Sequence, residues 1–262
     1  MTKHRHIAAL VLSAAALAAC GENGQTDITA PMPSARVMFF NEGLGSPGVN
    51  FFANETKLTA VSSSTGAESP VGTGYGQVAA GGYYTGIAPG QYTLSGRISD
   101  TTAGAHNTVI SSVAQAVADG KWYSYYQAGP YDATGKHVDA WVVEDPIPAT
   151  IDYNVANVRF VNAIYNSNPG TLTVASNDTS IHPTPAPVVI GGPVAYKTAS
   201  AFVPVPRGTY DVTVTGLGAT GSTTTSVSLA GGRYYTITAR GDITVTSSKS
   251  TNYPKVDLQP NR

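Results

Sequence analysis

Asn157-Val158-Arg159-Phe160-Val161-Asn162-Ala163 has an earlier counterpart in Ala35-Arg36-Val37-Met38-Phe39-Phe40-Asn41-Glu42, where Val37, Phe39 and Asn41 stand 121 residues before Val158, Phe160 and Asn162. The earlier stretch has a period of two, which is the signature of a strand whose two faces meet different surroundings. Val37, Phe39 and Asn41 point one way, and Met38 and Phe40 the other. A strand that opens one folded unit therefore opens a second. Two more blocks recur in the same order. Pro89-Gly90-Gln91-Tyr92 is matched by Arg207-Gly208-Thr209-Tyr210, and Val117-Ala118-Asp119-Gly120-Lys121-Trp122-Tyr123 by Leu229-Ala230-Gly231-Gly232-Arg233-Tyr234-Tyr235. Three blocks in one order define an internal duplication.

The duplication settles local ambiguities. Val109, Val113 and Val117 recur every four residues, as on a helix. Their counterparts lie in Thr223–Leu229, which is rich in β-branched residues and alternates, so both segments are expected to be strands. Further strands are expected at Val49–Ala53, and at Gln91–Ser95 after a turn at Pro89-Gly90. Tyr123 and Tyr125 align with Tyr235 and Ile237, which assigns this side to the core. Trp122 and Tyr126 then share the opposite side, which carries Tyr234 and Thr238 in the second copy. About seven strands per copy, with turn signals between them, predict an all-β fold. The expected architecture is two tandem immunoglobulin-like or transthyretin-like antiparallel β-sandwich domains, residues 35–148 and 155–258. A chain of 262 residues with 28 Gly, 17 Pro and only 12% charged residues suits that reading. It is long enough for two domains of about 110 residues, each with its own core.

Residues 1–19 read as an export signal. Lys3 and Arg5 are followed by an apolar and small-residue run from Ile7 to Ala19, too short for a bilayer span of about 20 residues. Leu17-Ala18-Ala19-Cys20 resembles the bacterial lipobox, which implies cleavage before Cys20 and lipidation of its sulfur. Cys20 is the only cysteine, so no disulfide can form within the chain. Residues 20–34 are polar, carry Pro31 and Pro33, and read as a flexible tether. Gly21 stands where an aspartate would signal inner-membrane retention, so the expected address is the outer membrane and the expected partner is the membrane itself, through the lipid.

The start Val158-Arg159-Phe160-Val161-Asn162-Ala163, the Pro206-Arg207-Gly208-Thr209-Tyr210 turn and the block Ala230-Gly231-Gly232-Arg233-Tyr234-Tyr235-Thr236 resemble the bacterial domain of unknown function 4397 family. Glu144-Asp145, with Pro146 and Pro148 before the second start, is similar to the way one copy hands over to the next there. Phe40, Glu42 and the long insert 177–192, with Pro183, Pro185 and Pro187, depart from the family pattern. The resemblance covers most of residues 35–258. It implies extracytoplasmic proteins, often lipoproteins, built as tandem β-sandwiches. It implies no known reaction.

Direct chemical signals are sparse. Gly216-Leu217-Gly218-Ala219-Thr220-Gly221 matches the dinucleotide fingerprint by letter, but strand-like residues follow where a helix N-terminus is needed. A glycine-rich hairpin loop is the better reading. His106, His137 and His182 lack the spacing of metal ligands. Among the carboxylates Asp139, Glu144, Asp145, Asp152, Asp178 and Asp211, the adjacent Glu144 and Asp145 would alternate faces on a strand. They fit a junction between domains better than an acid/base pair. Calcium-loop and nucleophile-elbow signatures are lacking. Net charge is −1, or −3 without Lys3 and Arg5, with cations too scattered for nucleic acid. No catalytic residue, metal or cofactor is assigned. Trp122 and Tyr126, roughly 13 Å apart along one strand, are the candidates for stacking on sugar rings. The alternative is that they cover a sheet face or the contact between the domains. The expected function is a non-enzymatic, lipid-anchored envelope protein that acts as a structural or binding module toward envelope polymer, matrix or another protein. Carbohydrate recognition is the runner-up, and an envelope glycan hydrolase is the rival from another class.

Overall fold

The strands of the first half are β1 (Ala35–Leu44), β2 (Val49–Ala53), β3 (Thr56–Lys57), β4 (Gln77–Val78), β5 (Thr85–Ile87), β6 (Gly90–Ile98), β7 (Val109–Val117), β8 (Trp122–Asp132) and β9 (His137–Glu144). Those of the second half are β10 (Val155–Asn162), β11 (Gly170–Ser176), β12 (Val188–Val194), β13 (Thr198–Ala199), β14 (Val203–Pro206), β15 (Gly208–Thr215), β16 (Thr223–Leu229), β17 (Tyr234–Arg240) and β18 (Lys255–Pro260). This is a computed structural model, and it describes residues 33–59, 70–101, 104–178, 185–216 and 223–261. The export signal, Cys20, His182 and 217–222 lie outside the described residues.

Sheet order repeats with an offset of nine strands. The first half builds β4-β1-β8-β9, with β5 also on β1, and β3-β2-β6-β7. The second builds β13-β10-β17-β18, with β14 also on β10, and β12-β11-β15-β16. The expected all-β sandwich character is present. Within it, β1 runs parallel to β8 and β10 parallel to β17, while the other pairs are antiparallel. Val109–Val117 and Thr223–Leu229 are strands, because their β-branched content and pairing partners outweigh a four-residue spacing. The strand β16 pairs with β15 across residues 216–222, so no helix follows the glycine-rich stretch.

Period-two alternation sorts the side chains of β1. Val37 and Phe39 enter the first core with Phe51, Leu94, Tyr123 and Tyr125. Phe39 and Phe51 stack at 4.9 Å. Val158 and Phe160 enter the second core with Leu172, Val212, Tyr235 and Ile237. Each such large apolar side chain contributes about 1.5–3 kcal/mol on burial. The duplication extends to single hydrogen bonds. Tyr92 donates its hydroxyl to Ala88 O at 3.0 Å, and Tyr210 donates to Pro206 O at 2.7 Å. Asn41 Oδ1 accepts from the amide of Gly43, and Asn162 Oδ1 from that of Ile164. Asn162 ends β10, and Asn41 lies three residues before the end of β1.

Strands β1, β8 and β17 are buried on both faces along most of their length. Two-sided burial requires a cover on each face. One cover is the sheet partner within each half. The other is the opposite half: Met38, Phe40, Tyr126, Ala128 and Trp141 of the first form one cluster with Val161 and Ala163 of the second. Residues 33–262 accordingly gather into one compact unit.

Candidate functional site

The face of β1 that carries Met38, Phe40 and Glu42 is matched by Arg159 and Val161 on β10 and by Ala163 just beyond it. Parallel pairing of β1 with β8 and of β10 with β17 adds Ser124 and Tyr126 from one half and Thr236 and Thr238 from the other. These residues create a seam between the halves with an apolar centre and a charged cluster on either side. In the centre, the Tyr126 ring lies between Phe40 (4.4 Å) and Trp141 (5.2 Å), and all three are stacked.

The first charged cluster forms around Arg159, whose side chain is 1% exposed. Its Nη2 lies 2.5 Å from Asp145 Oδ1, and that carboxylate is itself fully buried. The guanidinium donates from Nε to Thr236 Oγ1 at 2.8 Å and from Nη2 to Ser124 Oγ at 3.2 Å. Tyr84 donates its hydroxyl to Asp145 Oδ2 at 2.6 Å, Asn261 donates to Tyr84 Oη at 2.9 Å, and Thr236 donates to Asn261 Oδ1 at 2.6 Å. The bonds close a ring through Arg159, Asp145, Tyr84, Asn261 and Thr236. Burial opposes the charge on Arg159, yet the Asp145 carboxylate and nearby tyrosine hydroxyls outweigh it, and its pKa sits above the ordinary arginine value. Burial and the same carboxylate push the Tyr84 hydroxyl far up. The ring sets one cation against one carboxylate; Asp145 Oδ1 makes no hydrogen bond and is held by the Arg159 charge at 2.5 Å.

The second cluster is built on Arg240, which pairs through Nε with Asp257 and lies 3.5 Å from Glu42 Oε2. The Tyr75 ring covers the guanidinium at 4.9 Å. Gly76 makes this approach feasible, since a Cβ there would fall 2.6 Å from the guanidinium carbon. Glu42 is 2% exposed, and burial pushes its carboxyl up to about 8; Arg240 opposes the shift and Asp257 adds to it. Glu42 Oε2 and Thr238 Oγ1 are buried and make no hydrogen bond. Both residues line a hollow of about 250 Å³ with Asp257 and Gln259.

That hollow adjoins two others, of about 470 and 300 Å³, and Gln259 lines all three. Together they follow the line where the segment Gly72–Tyr84 runs beside β18. Gln259 donates to Gly82 O at 2.9 Å, holding the segment in place. Ala80, Gly81 and Gly82 take successive positive φ values of 53°, 67° and 81°. A Cβ on Gly82 would meet the Gln259 amide at 2.8 Å. This left-handed turn delivers Tyr83 outward, 77% exposed.

The sequence-derived candidates fall in different places. Tyr126 is fully buried, so it has no face to offer a sugar. This corrects the stacking expectation: the opposite half covers the side of the sheet on which Tyr126 stands. Trp122 is half-buried, packs edge-on against Tyr84 at 4.7 Å and lies under Arg36 at 5.1 Å. Both residues take the covering role offered as the alternative. Glu144 and Asp145 do separate: Glu144 faces solvent and pairs with Lys121 at 2.8 Å, while Asp145 enters the seam. Asp139 also reaches the second half, pairing with Lys197 at 2.7 Å and accepting from Tyr196 at 3.1 Å. Asp152, before β10, and Asp211, within β15, accept from Asn154 and Asn177, respectively, and Asp178 is part-buried beyond β11. Among the described residues no group of three or more His, Cys, Asp or Glu side chains could hold a metal ion.

Reasoning from the sequence missed Arg159, Glu42, Arg240 and Tyr83. For Arg159 and Glu42 a signal existed: Met38 and Ala163 stand at their places in the other copy. Comparison with known proteins finds no family model that matches the chain and no curated protein significantly similar to it.

Proposed function

We propose that the chain is a non-enzymatic, lipid-anchored envelope protein in which two β-sandwich domains, joined as one body, act as a structural or binding module toward envelope polymer, matrix or another protein. The observation that supports this reading best is the seam. An apolar cluster of Met38, Phe40, Tyr126 and Trp141 with Val161 and Ala163, an edge contact of Trp141 with Tyr196 at 5.8 Å, and a buried ion pair with its hydrogen-bond ring join the halves. Such a joint suits a module that presents a fixed surface at the end of a tether. It suits less well an enzyme whose domains close on a substrate. The lipobox-like Leu17-Ala18-Ala19-Cys20 and the resemblance to tandem extracytoplasmic lipoproteins of the domain of unknown function 4397 family support the address. Cys20 would carry the lipid, and the outer membrane is the favoured site.

Palmitate labelling in a bacterial host, followed by membrane fractionation, tests the anchor. The wild-type chain should incorporate label and sediment with outer membrane, and Cys20→Ser should do neither. Equal labelling of the two would overturn the lipoprotein reading. Incubation with isolated envelope glycan tests the rival: release of reducing ends in proportion to added protein would replace the module with a hydrolase.

A further inference from the structure

We propose that the groove between the segment Gly72–Tyr84 and β18 binds a saccharide, with the Tyr83 ring as its stacking platform and Glu42, Gln259 and Arg233 as the groups that read its hydroxyls. This rests on the binding-module reading above and gives it a site and a ligand class.

Four observations converge on the groove. Tyr83 exposes more of itself than the other exposed large hydrophobic side chains among the described residues, at 77%. It stands at the edge of the 300 Å³ hollow beside Arg233, Gln259 and Asn261. An aromatic face flanked by planar amide and guanidinium groups matches a pyranose, whose C–H face packs on a ring while its rim carries hydroxyls. Asp257 and Gln259 on β18 and Asn261 just beyond it occupy alternate positions and hence one face, about 7 Å apart at each step. They form a polar row leading from Tyr83 to the hollow beside Glu42.

At the far end, Glu42 Oε2 and Thr238 Oγ1 are buried, lack hydrogen-bond partners and line that hollow. Buried polar atoms need partners. A sugar hydroxyl both donates and accepts, so it can satisfy a carboxyl oxygen and a threonine hydroxyl together. At that end Asp257 is already paired with Arg240, and Glu42 is a carboxyl that burial holds protonated at neutral pH. Neutral hydroxyls fit such a surface better than a phosphate or a metal cation. The same row explains why Trp122 is not the platform: it is engaged with Tyr84 and Arg36 instead.

Calorimetric titration of the full mature chain, purified in detergent, tests the proposal with four probes: the tetrasaccharides of β-1,4-N-acetylglucosamine, β-1,4-glucose, α-1,4-glucose and β-1,4-mannose. At least one should bind. Tyr83→Ala should weaken it about tenfold, the loss of one stacked ring, without lowering the Tm. Gln259→Ala should weaken it as well, and Trp122→Ala should leave the affinity unchanged. Failure of all four probes to bind overturns the proposal, as does wild-type affinity in Tyr83→Ala. Co-sedimentation of a Cys20→Ser chain with a lipid-free envelope polymer fraction separates this proposal from the reading beneath it. Sedimentation that Tyr83→Ala leaves intact keeps the envelope-binding reading and sinks the groove. Tetrasaccharide binding that depends on Tyr83, with the chain left in the supernatant, keeps the groove and sinks the envelope reading.

Discussion

The seam contains two arginine clusters that differ in how tightly they are closed. Arg159 sits in a closed ring, where its carboxylate partner, two hydroxyls and an amide pass hydrogen bonds around a circuit. Arg240 faces two carboxyls, with Glu42 Oε2 3.5 Å from the guanidinium and making no hydrogen bond, and its cluster opens on a hollow. A closed buried network holds a structure together. An open one leaves hydrogen-bonding capacity that solvent or a ligand can use. Chemically similar side chains in one interface thus divide into a fastener and a candidate binding surface.

The sharpest way to break this contrast is Arg159→Met, which places in the second half the residue type that Met38 supplies at the equivalent point of the first. Leaving Asp145 buried without its partner should cost about 3–5 kcal/mol in urea unfolding. Adding Asp145→Asn should recover much of that loss, because the uncompensated charge is then gone. A cost below about 1 kcal/mol for the single variant would show that the ring does not fasten the halves.

The second prediction concerns pH and Glu42. Burial raises its carboxyl from 4.5 to about 8, against the pull of Arg240 and with a further push from Asp257. Between those two values the folded chain holds a proton that the unfolded chain has released. The stability associated with this group is therefore complete below about pH 4.5 and is lost as pH rises toward 8. The slope should approach about 1.4 kcal/mol per pH unit in that window. Glu42→Gln, followed by urea unfolding from pH 5 to 8, should flatten the slope and be the more stable chain at pH 8. An unchanged slope would show that Glu42 is not the group responsible.

The smallest expected effect is at Tyr126, whose ring is stacked on both sides while its buried hydroxyl makes no hydrogen bond. Tyr126→Phe keeps the stack and removes the unsatisfied group, so thermal unfolding should change by less than about 1 kcal/mol, in the stabilising direction. A large loss would mean that the hydroxyl carries a bond that the seam needs.

Much of the fold was legible because strand alternation is local. Val37 and Phe39 on one side, Met38 and Phe40 on the other, and Tyr123 with Tyr125 toward the core all follow from a period of two, and each is where that period puts it. Comparing the copies also removed the false helix at Val109–Val117. The groove was far less legible. Glu42 stood out only as a departure from the family pattern, and Arg159 carried no chemical assignment, with Met38 at its place in the first copy. Its partner Asp145 lies in the handover segment and has no fixed relation in sequence to Thr236 or Asn261. Tyr83 could not be told from Tyr84 by sequence: one is thrown outward by the left-handed turn at Ala80–Gly82, and the other is drawn into the ring.

The sequence by itself determined the duplication, the strands and the side of the sheet on which each residue stands, since these depend on neighbours a few positions away and on likeness between copies. Tertiary structure alone decided what lies against each side. Tyr126 points away from its own core in either case; only the approach of β10 and β17 turns that exposed face into a buried one. It also makes Arg159 a fastener and leaves Tyr83 in the open. Alternation fixes a direction, but what occupies the space in that direction depends on contacts that no local pattern encodes.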